Sequence, residues 1–414
     1  MYVQVYGSKK KGMIIDSDLG TMALGYGHRK FLEFLKRNWD LAAYHADGPG
    51  RYWAMKNVDA GWKRYDEISP AALARKLIPL AFPEDLIENH QVAFNITGGL
   101  AVKDAAHLAR FLRKEKSTFL IFERGFHGRV IPELNFSNPG QKVYAPQGSI
   151  SRYALPYPET VDDFQRACYL LHFIPQDIAA IFIEGIQGEG GINMPNPTLL
   201  KRLIEILRER FSGIMVIFDE IQTGIGRTGK WFSYQHYDIK PDIVIVGKAL
   251  GGSTPLSAVI MPNCPIPDGL IGGTYAGGYP LAVAYAMVIL DIIQEDDLVQ
   301  RAKKMGAYLA KSIHSFLKKS GFEEKNKQRG VFLRHKGFGL MQGIEFFNYL
   351  GEPCPDWQEN TLLELFKRNI FTTSAGVRGI NHVLRIMPPL TVTKKDIDSL
   401  MEQLRESIFI GLLP

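Results

Sequence analysis

Two short apolar runs, Ile214–Phe218 and Ile243–Val246, limit the folds open to this chain. Each is rich in β-branched residues and too short for a helix, the pattern of parallel strands covered on both faces. The first ends in Asp219 and Glu220; the second passes through Gly247 into Lys248. An acid at one strand tip and a lysine at another meet in the crevice where open α/β sheets bind ligands. Taken alone, a lysine in that place is also what a solvated strand end looks like.

Similar runs alternate with helical patterns between Pro70 and Ile293. Residues 71–78 read as a helix and Gln91–Asn95 as a strand. Leu100–Leu112 reads as a helix, with apolar positions three and four apart. Phe119–Phe122 and Ala179–Ile183 read as strands, and Leu199–Arg210 as the helix before the Asp219 strand. This rhythm predicts a mainly parallel sheet with helices on both faces. Pro280–Ile293 reads as a buried helix with a polar exit. Beyond Asp297 come a long amphipathic helix at 298–317, strands at 331–334 and 340–346, and helices at 361–369 and 395–409. That order suggests a smaller α+β domain. The expected division is an amino-terminal segment over 1–65 that joins the small domain and the site entrance, a large domain over 66–297, and a small domain over 298–414. Residues 39–62, rich in aromatics, read as a loop lining a pocket, a partner contact, or ordinary core.

A chain of 414 residues can bury a large core, and 46% apolar with 22% charged residues is ordinary for a globular protein. The net charge of +6 is mild and dispersed, with no basic, aromatic-interleaved block of the kind that binds nucleic acid. Cys168, Cys264 and Cys354 lie far apart, which excludes a disulfide framework and gives no metal signature. No apolar run reaches the roughly 20 residues that cross a bilayer, and the amino terminus lacks a signal-peptide core. The expectation is a cytoplasmic enzyme without nucleic-acid or membrane partners.

Thr97–Gly98–Gly99 joins a strand to a helix, where converging backbone N–H groups favour a phosphate. Phe126–His127–Gly128–Arg129 follows another strand. Its ring can stack on a planar group and Arg129 can take a carboxylate. His127 is either a site residue or a hydrogen-bonded structural histidine. A lysine for a Schiff base, a carboxylate for a pyridine nitrogen and a phosphate turn are what pyridoxal 5'-phosphate requires.

In this order the pieces resemble the class III pyridoxal-phosphate aminotransferases, the group of 4-aminobutyrate, ornithine, acetylornithine and lysine ε-aminotransferases. The resemblance runs from about Asp16 to the carboxyl terminus. It is carried by Phe126–Arg129, Glu184–Gly191, Phe218–Gly224, Gly229–Trp231, Gly247–Gly252 and Arg385–Leu390. It implies the PLP-dependent transferase fold of type I, an α/β fold with a mainly parallel seven-stranded sheet in the large domain. By the resemblance Lys248 forms the Schiff base and Asp219 partners the pyridine nitrogen. Phe126 and Ile221 cover the two ring faces, Gln222 bonds near the ring hydroxyl, and Gly98 and Gly99 cradle the phosphate. Glu184 and His127 complete the cofactor pocket. Thr274, in Gly273–Gly278, would reach the phosphate held by a partner subunit, which implies a homodimer with shared sites. Arg385 would bind the α-carboxylate of glutamate or 2-oxoglutarate, Glu189 would cover Arg385 when the donor has no carboxylate there, and Arg129 would take the distal carboxylate.

The resemblance departs from the family pattern at Thr97–Ala101, where the usual glutamate is absent. Gly99–Val102 is similar instead to the lysine ε-aminotransferases. The expected reaction moves the terminal amine of lysine, ornithine or a similar donor to a 2-oxo acid acceptor, 2-oxoglutarate. Lys248, Asp219 and the phosphate turn serve equally in an amino-acid racemase, epimerase or aminomutase; Glu189 with Arg385 tilts the choice to transamination. A non-enzymatic protein on this fold would have no reason to keep the lysine and aspartate.

Overall fold

The computed structural model describes residues 2–4, 11–14, 16, 19–43, 58–114, 116–131, 134, 151–272, 277–324, 330–376 and 382–412. The amino-terminal part holds β1 (Tyr2–Gln4), β2 (Lys11–Ile14), α1 (Arg29–Arg37), and the paired β3 (Val58–Asp59) and β4 (Arg64–Tyr65). Most of the aromatic segment, including Tyr44–Asp47 and Trp53, lies outside the described residues. Next come α2 (Pro70–Ala81), β5 (His90–Asn95), α3 (Gly98–Leu112), β6 (Thr118–Phe122), β7 (Ser151–Leu155), α4 (Val161–Leu171), β8 (Ile178–Ile183), α5 (Pro197–Arg210), β9 (Met215–Asp219), β10 (Ile243–Val246), β11 (Ser257–Pro262) and α6 (Pro280–Glu295).

These strands form a seven-stranded sheet in the order β5-β11-β10-β9-β8-β6-β7. The pairs from β10 to β7 are parallel, as the βα rhythm predicts, whereas β11 runs antiparallel to both β10 and β5. Alternation sorts each strand between two cores. Ile217, Ile245 and Val259 pack with Ala101, Val102 and Leu108 of α3, while Val216, Phe218 and Val244 join the larger core with α5 and α6. Truncating Ile217 to Ala would cost about 3 kcal/mol at such a site. Ser69 caps α2, with Pro70 at its first position, and Thr97 caps α3, each hydroxyl accepting a backbone N–H of the first turn.

The carboxyl-terminal part holds α7 (Leu298–Lys319), β12 (Val331–Phe338), β13 (Met341–Asn348), α8 (Pro355–Lys367), β14 (Ile370–Phe371), β15 (Ser374–Ala375), β16 (Val383–Ile386) and α9 (Lys394–Gly411). Strands β12-β13-β16-β15 make an antiparallel sheet. The amino-terminal β2 pairs in parallel with β14, and Asp16 bridges to Met387, so both ends of the described chain are built into this part of the molecule.

Candidate active site

The carboxyl ends of β5, β8, β9 and β10 open on a cavity of about 420 Å³. Its wall brings together Gly98, Gly99, Phe126, Arg129, Glu184, Glu189, Asp219, Ile221, Gln222 and Lys248, which lie up to 150 positions apart in the chain. His127 stands behind Asp219 and Arg385 behind Glu189. Thr274 lies outside the described residues.

Asp219 ends β9, the consequence of a buried strand running into a turn. Its Oδ2 is 2.8 Å from His127 Nδ1 and its Oδ1 accepts from Ile221 N at 3.1 Å. Burial pulls the His127 imidazole down, but the hydrogen bond and charge of Asp219, with the charge of Glu184, outweigh it and raise its pKa. The histidine is therefore a buried donor that orients the carboxylate. It is a hydrogen-bonded buried histidine whose partner, Asp219, lines the cavity. Glu184 accepts from Phe126 N at 2.8 Å and Gly188 N at 3.1 Å, tying the Phe126 turn to the Glu189 loop. Burial pushes its carboxyl up to about 7, against the opposing charge of His127.

Lys248 follows β10 and opens a short 3-10 turn with φ +40°, a left-handed conformation that a lysine rarely adopts. Burial depresses its ammonium pKa, opposed chiefly by Glu189. A depressed amine is the nucleophile that Schiff-base chemistry needs.

Gly98 and Gly99 begin α3, where the first N–H groups have no intrahelical acceptor. A Cβ on Gly98 would stand 2.7 Å from Ile221 Cδ1, and one on Gly99 2.8 Å from Val130 Cγ2. Ser257, at the head of β11, donates to Thr97 O at 2.7 Å and fixes this turn. The antiparallel strand thus serves the cradle.

Arg385 and Glu189 form a salt bridge at 3.0 Å (Nη1 to Oε1), with the Arg385 side chain 2% exposed and that of Glu189 36% exposed. Gln222 Nε2 also donates to Glu189 Oε1, at 3.2 Å. Burial pushes the Glu189 carboxyl up, but the charges of Arg385 and Lys248 and these hydrogen bonds hold it below its usual range. The carboxylate lies between the guanidinium and the cavity. Arg129 is exposed at the rim, its guanidinium 5.9 Å from the Phe126 ring centroid. Sequence reasoning missed Asp16 and Thr373, which hold the far edge of Arg385. They lie 357 positions apart, and no spacing pattern links them.

The arrangement fits pyridoxal phosphate. The glycine cradle leaves room for backbone against phosphate, Lys248 and Asp219 face one cavity, and Gln222 Oε1 is buried without a hydrogen-bond partner among the described residues. The model of the family described as Aminotransferase class-III matches residues 62–408. The chain belongs to the class-III aminotransferases. It is a pyridoxal-phosphate-dependent transaminase. An acetylornithine aminotransferase from Methanosarcina mazei is 35% identical over 76% of this chain and 72% of its own length. A leucine/methionine racemase from Thermococcus litoralis is 30% identical over 82% of this chain and 77% of its own. The solved lysine aminotransferase from M. tuberculosis superposes with a TM-score of 0.80, covering 99% of this chain and 93% of its own at 21% identity, a likeness of fold.

Proposed function

We propose that this enzyme moves the terminal amine of an ω-amino or diamino acid, such as ornithine, acetylornithine or lysine, to 2-oxoglutarate, giving a semialdehyde and glutamate. The observation that carries this reading is the Glu189–Arg385 bridge. A donor that presents an amine-bearing CH₂ has no carboxylate for Arg385, and leaving the buried Nη1 donor of that guanidinium without an acceptor is costly. Glu189 fills that place with its own carboxylate, and a dicarboxylate acceptor displaces it.

When bound, pyridoxal phosphate supplies the electron sink that makes the substrate carbon acidic. Lys248 Nζ serves as the base that takes and returns the proton at that carbon. Asp219, oriented by His127, would keep the pyridine nitrogen protonated. Phe126 and Ile221 would hold the ring, Gln222 Oε1 would accept from its hydroxyl, and the Gly98–Gly99 turn would hold the phosphate. Glu184 braces the pocket, and Arg129 takes the distal carboxylate. Residues 66–297 would be the cofactor-binding domain, with 1–65 and 298–414 supplying the smaller one. We read the working form as a cytoplasmic homodimer in which Thr274 of one subunit reaches the other's phosphate. Among the described residues no helix is long and apolar enough to cross a membrane.

A panel of amine donors with 2-oxoglutarate, read by glutamate formation, tests the reaction. Activity confined to α-amines overturns the terminal-amine reading. The similarity to a racemase gives the second reading its footing; racemisation of an α-amino acid without glutamate formation would establish it.

A further inference from the structure

Arg385 carries five N–H donors in a fixed fork, and the structure divides them unequally. Nε donates to Thr373 Oγ1 at 3.1 Å and lies 3.3 Å from Asp16 Oδ2. Nη2 donates to Thr373 Oγ1 at 2.9 Å and to Ser374 O at 3.0 Å. Glu189 engages only Nη1, at 3.0 Å. The Thr373 hydroxyl donates its single proton to Asp16 Oδ2, which turns its lone pairs towards the guanidinium. Asp16 is itself fixed, since Oδ1 accepts from Leu19 N at 2.8 Å and its side chain is 2% exposed.

We propose that Asp16, through Thr373, is a positioning residue that permanently holds the Nε–Nη2 edge of Arg385, leaving Nη1 alone to exchange between Glu189 and an incoming carboxylate. The acceptor carboxylate is therefore bound end-on at Nη1, where a guanidinium with a free edge would grip both oxygens. Asp16 also leaves Arg385 a counter-charge when Glu189 withdraws, so the swing does not strand a buried cation. The proposal rests on the reading of Glu189 and Arg385 as the carboxylate switch.

The test measures the two half-reactions of the holoenzyme separately by stopped-flow absorbance, and the binding of glutarate, a non-reacting dicarboxylate, by calorimetry. Asp16→Ala is expected to weaken 2-oxoglutarate and glutarate binding about tenfold, the equivalent of one charge-assisted hydrogen bond. The amine-donor half-reaction, in which Glu189 covers Arg385, is expected to change less than about threefold on the same scale. Asp16→Asn, which still accepts from Thr373, should fall between wild type and Asp16→Ala. Thr373→Val should weaken the same dicarboxylates while Thr373→Ser restores them, a comparison that holds even if Asp16→Ala folds poorly. Equal losses in both half-reactions, or unchanged glutarate binding, overturn the proposal. Failure of the underlying substrate reading shows separately, as a wild-type enzyme that forms no glutamate from any terminal-amine donor.

Discussion

Lys336 Nζ on β12 donates to Asn193 Oδ1 at 2.6 Å, joining the four-stranded sheet to the loop that carries Glu189. The same ammonium lies 2.7 Å from Glu345 Oε1. Asn193 in turn donates to Gly190 O at 2.9 Å, and Glu189 O accepts from Gly376 N at 2.8 Å. The backbone around Glu189 is thus held on both sides, which confines the movement required by the proposed switch to its side chain. Lys336→Met should lower stability by about 3 kcal/mol, because Glu345 and Asn193 lose a buried partner. Denaturant unfolding measures the loss, and an unchanged midpoint would show that Arg334 and His382, 2.6 and 3.5 Å from the same carboxylate, suffice for Glu345.

Lys248→Ala should abolish turnover while leaving the fold intact. Replacing a buried, depressed cation relieves desolvation, so the cofactor-free variant should be at least as stable as wild type. Borohydride reduction of the wild-type holoenzyme and peptide mapping check the attachment; cofactor found on another lysine would remove Lys248 from its role.

Asp219→Asn should reduce turnover by about 10²-fold or more, the scale of losing a major electrostatic element. It also removes the main interaction that raises His127, so the imidazole pKa should fall. Imidazole NMR reports this second effect, and near-native single-turnover rates would disprove the first.

Glu189→Gln should impair the terminal-amine half-reaction more than the glutamate half-reaction, because a neutral amide no longer balances Arg385. A shift of about tenfold in the ratio of the two rates is expected from one charge-assisted contact. An unchanged ratio would mean that Glu189 does not discriminate between them.

His236 is half-buried, stacks on Phe338 of β12 at 5.2 Å, and lies 3.1 Å from Thr228 Oγ1. Burial pulls its pKa down to about 4. Unfolding restores an ordinary imidazole near 6.5, so the unfolded chain binds more protons between those values. The contribution is complete above about pH 6.5 and falls as pH drops towards 4, by about 2 kcal/mol at pH 5. His236→Asn should flatten this part of the stability profile; thermal unfolding at pH 5 and pH 7 of both proteins provides the comparison.

The strands that carry the chemistry were legible because burial on both faces writes an unbroken apolar run, as at Ile243–Val246 and Ile178–Ile183. Two strands of the same sheet were not. Ser151–Leu155 is an edge strand with partly exposed polar positions, and Ser257–Pro262 gives no periodic sign of its antiparallel direction. Helix α8 starts at Pro355, six positions before its apolar pattern suggests, because proline fits the first helical turn. In the site, motif residues were readable wherever they flank a strand end. The Asp16–Thr373–Arg385 and Lys336–Asn193 contacts were not, since tertiary packing alone makes them neighbours.

The parallel pairing of β2 with β14 bears on how the enzyme comes off the ribosome. Residues 11–14 are synthesised before every strand of the central sheet, yet their hydrogen-bonding partner emerges more than 350 residues later. Until then the early strand has an unsatisfied edge, exposed to wrong pairings. Asp16, immediately downstream, waits equally long for Thr373 and Arg385. Synthesis can complete much of the central sheet before Arg385 and its partner Thr373 exist. A nascent chain stalled before residue 370 would therefore carry most of the proposed cofactor cradle without the Arg385 half of the proposed switch.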